Sequence, residues 1–214
     1  MSKLTNLSVA IFLLIMLYSC SATKFVPEGE YMLEDVKIKA TEEDFKVASL
    51  KGFIRQHPNS KWFSLVKVPL APYALSGKDT TKRINRFLQR VGEAPVIFDT
   101  LQAKRTEENI LSAVNNQGWL DAKIEQKTKT KGKKIKVTYL IEPGRRYTVR
   151  DISYNIPDTA LANIIISENV RSLIRIGMPF DLNILDEERL RISRLLQNSG
   201  YYKFNKEYVR FIAD

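Results

Sequence analysis

The spacing of hydrophobic positions changes several times along the chain. Val9 to Tyr18 is an uninterrupted apolar run. From Leu33 the period becomes two, with Val36, Ile38 and Ala40 separated by polar residues, which predicts a strand. Thr41 with Asp44 three positions on offers a helix start, Phe45, Ala48, Leu50 and Ile54 offer its buried stripe, and Pro58 ends it. Ile84, Phe87, Leu88 and Val91 fall at i, i+3, i+4 and i+7 and predict a helix over about Thr80 to Val91. A single apolar stripe of this kind is ordinary core material, so this helix is expected to pack on the domain that carries it. The next helix runs from about Ala103 to Gln117 and stops at Gly118, the residue type favoured just past a helix end. A strand starts near Ala122. Another follows, with Ile135, Val137, Tyr139 and Ile141 alternating, and "KTKTKGKKIK" between them reads as a hairpin tip turning at Gly132.

The pattern then repeats. Tyr31 to Val36 (YMLEDV) recurs as Tyr147 to Ile152 (YTVRDI), and "NNQGWLDAKI" recurs as "QNSGYYKFNK". Ahead of the second pair stand "GEAPVIFD" and "GMPFD", followed by Leu101 and Arg105 in one copy and Leu185 and Arg189 in the other. The order is strand, helix, loop, helix, glycine–aromatic turn, strand in both. Tyr31 precedes Gly118 by 87 positions and Tyr147 precedes Gly200 by 53, so the first copy carries about 34 extra residues. The extra segment is placed at about 58–91 and holds "KWFSLVKVPLAPYAL" and the basic helix. The second copy ends after one strand, expected over Tyr202 to Ile212, where the first continues into its hairpin.

The N-terminal run is about half the 20 residues that a membrane-spanning helix needs. Behind Lys3 and ahead of the small residues Ser19, Ser21 and Ala22 it reads as a signal-peptide core. It stops at Cys20, the only cysteine, so no disulfide framework is available. The thiol is either a modified anchor or an incidental small residue. Pro27 and Gly29 discourage regular structure, so residues 20–30 are expected to be a tether.

Composition narrows the function classes. With 34 Lys+Arg against 24 Asp+Glu the chain is formally +10, which suits an anionic partner or simple solubility. Catalysis has little to work with. His57 is the only histidine, beside Pro58, with no metal-ligand or triad partner at useful spacing. The "DEER" stretch, Asp186 to Arg189, puts carboxylates near a helix start, where they favour the dipole. No glycine-rich phosphate loop is present, and neither an enzyme activity nor a cofactor or metal is expected. The basic helix of the insertion has two further readings, an anionic membrane surface or a partner protein.

Leu17-Tyr18-Ser19-Cys20 resembles the lipobox of bacterial lipoproteins, although Tyr18 is bulkier than the residue usual there. The repeated strand-helix-helix-strand-strand order behind a signal resembles the POTRA domains of the BamA/TamA outer-membrane assembly family. "IRQHPNSKWF", "GEAPVIFD" and "FDLNILDEERLRISRLLQNSGYYKFNKEYVRF" are similar to a lipoprotein-type branch of it found in Bacteroidetes. The resemblance implies an α+β fold of tandem POTRA-like β-α-α-β-β modules. Its layout is a signal peptide at 1–19, lipidated Cys20 and tether at 20–30, a first module at 31–145, and a second at 146–214 without its last strand. It implies a periplasmic role on unfolded outer-membrane proteins or assembly subunits, an outer-membrane lipid anchor, no nucleic acid, and a C-terminal barrel in the full-length protein, of which this would be an N-terminal fragment. The strand after the second helix would be a free edge, and Lys123, Ile124, Glu125, Gln126, Lys127 and Thr128 the residues that pair with a client. The alternative is a free-standing scaffold lipoprotein of the cell envelope.

Overall fold

Alternation and turn chemistry between Met32 and Glu142 produce the one sheet of the described residues. In the computed structural model, which describes residues 22–60 and 70–213, β1 (Met32–Ala40), β2 (Lys123–Lys131) and β3 (Lys134–Glu142) lie in the order β1-β3-β2. The signal-like segment with Tyr18 and Cys20, and residues 61–69 of the expected insertion, lie outside the described residues. β1 runs parallel to β3, from Met32 opposite Lys134 to Ala40 opposite Ile141, with an irregularity between Leu33 and Asp35. β2 and β3 meet at the two-residue turn Gly132-Lys133 and form a hairpin. Ile135, Val137, Tyr139 and Ile141 of β3 are all buried, as their alternation predicts.

Among the described residues five α-helices accompany the sheet: α1 (Leu70–Leu75), α2 (Arg83–Val91), α3 (Thr100–Asn116), α4 (Thr159–Ser167) and α5 (Leu182–Asn198). The architecture is α+β. None of the helices among the described residues is long and apolar enough to cross a membrane. Two compact units result, Met1–Asn109 with Ile124–Ile141, and Ile110–Lys123 with Glu142–Asp214.

In the first unit the structure departs from the sequence pattern at four places. The helix expected from Thr41 to Pro58 is reduced to a 3-10 segment, Val47–Phe53. Phe45 and Leu50 are its buried anchors, and five positions apart they share no α-helical face. Helix α1 arises inside "KWFSLVKVPLAPYAL", to which the sequence pattern assigns no element. Pro72 sits in its first turn, where the missing N–H has no partner to lose. The stretch expected as a tether is folded from Ala22 on. Ala22 and Val26 are both 3% exposed and share a core cluster with Met32, Leu70 and Ala74, against which Ile97 packs. Fourth, most of the apolar stripe of α2 does not pack: Ile84, Phe87 and Val91 are exposed, Leu88 is partly buried, and Asn85 is the buried residue.

The second unit is held by a cluster of Ile165, Ile192 and Leu196, with Ile156, Leu161, Ile164, Phe204 and Val209 against it. The strands expected at Tyr147–Ile152 and Tyr202–Ile212 do not form as strands. The first is reduced to one antiparallel bridge, Thr148 to Pro179, and the second holds a 3-10 turn, Lys206–Tyr208. The reason lies in the strand order. In the first unit β1 and β2 each pair with β3 and not with one another. The described residues of the second unit contain no counterpart of β3, so its first and last segments have no central strand to pair with.

Candidate functional site: a free sheet edge

The sheet has two outer strands, and they are treated differently. At the start of β1 the outer side is covered. The Leu33 N–H donates to the Val96 carbonyl at 2.7 Å, and the Phe98 N–H donates to the Tyr31 carbonyl at 2.7 Å. Side chains hold that covering segment in place. Asn59, 1% exposed, donates from Nδ2 to the Ala94 carbonyl at 2.7 Å and accepts the Val96 N–H at 3.1 Å. Gln56 does the same one step on, donating to the Ile97 carbonyl at 2.5 Å and accepting the Asp99 N–H at 3.1 Å. An amide side chain has one acceptor and two donors, so each residue stands in for a short piece of strand. These two clamps were not read from the sequence. Their signal in the sequence is the pair of amides that flank His57 and Pro58, where periodicity alone reads Pro58 as a helix end.

β2 is different. It is the other outer strand, hydrogen-bonded to β3 on one side. Along Lys123–Lys131 only Ile124 and Gln126 are partly buried and the rest are exposed. The residues expected from the sequence to pair with a client, Lys123 to Thr128, therefore lie together on one outer strand. An outer strand presents a row of main-chain donors and acceptors turned away from the sheet. The segment KIEQKTKTK carries four lysines... and a single glutamate, Glu125, whose carboxylate pairs with Lys127 at 3.0 Å. On the inner strand the cations are engaged differently: Lys134 and Lys136 both face Glu34, at 3.6 and 3.4 Å. Among the described residues the edge is thus both open and cationic.

What makes β2 a rigid template is β3 behind it. The Tyr139 hydroxyl donates to the Ala103 carbonyl at 3.1 Å, tying the sheet to α3. Burial pushes the Tyr139 phenol above its ordinary value, so it stays a neutral donor.

The covering segments also show the sequence repeat at the level of single hydrogen bonds. Phe98 N–H to the Tyr31 carbonyl has its counterpart in Phe180 N–H to the Tyr147 carbonyl, at 2.9 Å. Leu33 N–H to Val96 has its counterpart in Val149 N–H to Met178, also at 2.9 Å. Asp99 and Asp181 follow the two loops, and each caps the next helix by accepting main-chain N–H groups, those of Leu101 and Gln102 and that of Asn183. Both helices end in left-handed glycine, Gly118 at φ 91° and Gly200 at φ 98°.

The second unit offers a shallow groove lined by Ile152, Tyr154, Asn169, Val170, Ser172 and Ile174 among others. Its polar groups face one another. The Tyr154 hydroxyl donates to Asn169 Oδ1 at 2.6 Å, and the Ser172 hydroxyl donates to Glu188 at 3.0 Å. Ser172 is therefore occupied by structure. "DEER" lies beyond the first turn of its helix, so its carboxylates are not the dipole partners expected from the sequence. α5 begins at Leu182 under an Asp181 cap. Asp186 pairs with Lys206 at 3.0 Å and Arg189 with Glu207 at 2.9 Å, which fastens the chain after Gly200 to the helix. His57 is exposed.

Comparison with protein-family models finds no match, and comparison with curated proteins finds no relative. Among solved structures the chain is similar to the crystal structure of Haemophilus influenzae BamA POTRA3-5, at 18% identity and a TM-score of 0.39, over 83% of this chain. The aligned part spans 59% of that chain, less than two thirds of its length.

Proposed function

We propose that this chain is a POTRA-type periplasmic module of an outer-membrane β-barrel protein assembly or translocation factor. It binds and does not catalyse. Unfolded clients or partner subunits add an extended segment to β2, and the main chain supplies the contacts. The observation that carries this reading is the contrast between the two outer strands: the start of β1 is covered by 96–98, and among the described residues no segment pairs with the outer side of β2. Strand addition draws its affinity from main-chain hydrogen bonds, which are blind to side-chain identity, and so suits a module that meets many sequences. The lysines repel a second copy of the same edge and favour segments that carry acidic residues. Cys20 is the lipid anchor in this account and fixes the module at the periplasmic face of the outer membrane. Ala22, two positions after the anchor, is already buried. The membrane-embedded work belongs to a barrel in the full-length protein.

Photo-cross-linkers placed singly at Lys123 to Thr128 in the full-length protein, in a cell envelope, test this directly. Capture of extended segments that alternates in strength from one position to the next is the expected result. No capture, or capture without alternation, would remove the strand-addition role.

A further inference from the structure

Helix α2 is built with its polar side in and an apolar side out. Its nine residues, RINRFLQRV, include three arginines and no acid. The groups that anchor it are amides. Asn85, 9% exposed, accepts the Gly77 N–H at 2.9 Å and donates to the Asp79 carbonyl at 2.7 Å, and Gln89 donates to the Gly77 carbonyl at 3.1 Å. Ile84, Phe87 and Val91 are 67%, 62% and 59% exposed. At 3.6 residues per turn these three fall within an arc of about 60°, and Arg83, Arg86 and Arg90 fill the adjoining arc of about 60°. Scattered exposed apolar residues are ordinary, but three on one stripe beside three cations are a surface with a use.

Two further observations say what covers it. The charge argues against a second copy, because a symmetric contact would bring each arginine arc toward its own image. The position argues for a membrane. α2 packs on α1, and α1 packs on the Ala22–Phe25 turn, so this face belongs to the substructure that follows Cys20 by only a few positions of chain, a step that rests on reading Cys20 as the lipid anchor. An apolar stripe bordered by arginine is the make-up of helices that lie in the headgroup layer. We propose that the exposed face of α2 docks on an anionic bilayer, with Ile84, Phe87 and Val91 at headgroup depth and the arginines on lipid phosphates. This surface is separate from the β2 edge, and either can fail without the other.

The test must read α2 itself, because the N-terminal segment can bind vesicles on its own. In a Cys20→Ser chain, a polarity-sensitive fluorophore is attached at Phe87→Cys or, as a control, at Thr128→Cys on β2. Phosphatidylglycerol-containing vesicles should shift the position-87 emission to the blue, pure phosphatidylcholine vesicles should not, and about 0.5 M salt should reverse the shift. The position-128 label should stay in water. Arg86→Gln should weaken the effect roughly five-fold, the share of one surface cation. A position-87 label that stays in water on vesicle-bound protein would overturn the proposal. So would one already shifted without vesicles in a concentration-dependent way, which would assign the face to a second copy.

Discussion

Glu188 shows how much a single residue does here. Its side chain is 3% exposed, yet it is charged, because Arg191 reaches both carboxylate oxygens, at 2.7 and 2.8 Å. The Ser172 hydroxyl and the Leu173 N–H complete the set. Burial alone would push the carboxyl up, but the Arg191 fork, the Leu173 N–H and the Ser172 hydroxyl outweigh it and hold it below the ordinary glutamate range. A carboxylate with a depressed folded-state value stabilises the fold above the unfolded value, near 4.3, and that contribution fades as pH falls through the folded value. Glu188→Gln should therefore cost about 3 kcal/mol near neutral pH by leaving the partly buried Arg191 without its carboxylate. It should also flatten the loss of stability that the parent shows below about pH 4.3, both read by urea denaturation. A variant as stable as the parent at neutral pH would contradict this. None of it was legible in "DEER". Adjacent carboxylates near a helix start look like dipole partners, and only the folded chain brings residues 172 and 173 against Glu188. Asn59 and Gln56 were missed for the same reason, since their partners lie more than thirty positions away.

Among the elements, those with a strict period were read well and those fixed by tertiary contact were not. The alternation of Ile135, Val137, Tyr139 and Ile141 fixed β3, and Gly118 marked the end of α3 within two positions. α2 forms as its period predicts, but three of the four stripe residues face out and only Leu88 is partly buried, because periodicity identifies a stripe and does not say which way it faces. The facing is set by Asn85 and Gln89 and by a close approach at the helix end. A Cβ on Gly92 would run into the main-chain nitrogen of Tyr73 and lie 2.8 Å from its Cβ. Gly92→Ala should lower stability by about 1–3 kcal/mol, the usual cost of forcing an atom into a filled space. Gly52→Ala, where the added atom meets nothing within 4 Å, is the control and should be near neutral in the same urea titration. Equal effects of the two would mean that α2 is not locked to α1 by this contact.

At the scale of the whole molecule the repeat was the most legible feature. Its two halves match hydrogen bond for hydrogen bond at Tyr31–Phe98 and Tyr147–Phe180, although the first carries about 34 more residues. The sequence pattern overreached at the strands of the second copy. Tyr147 to Ile152 and Tyr202 to Ile212 have strand-like composition, but a strand exists only with a partner, and the central member of this topology is the third one. Among the described residues β2 has that partner on one side and no strand on the other. Hydrogen exchange of the chain with and without a short synthetic peptide of alternating valine and glutamate tests this most directly. The account predicts that every second amide of β2, the set turned away from β3, gains protection when the peptide is added, while the amides of β3 are unchanged. Protection confined to α2 or to the second unit, with β2 unaffected, would contradict it.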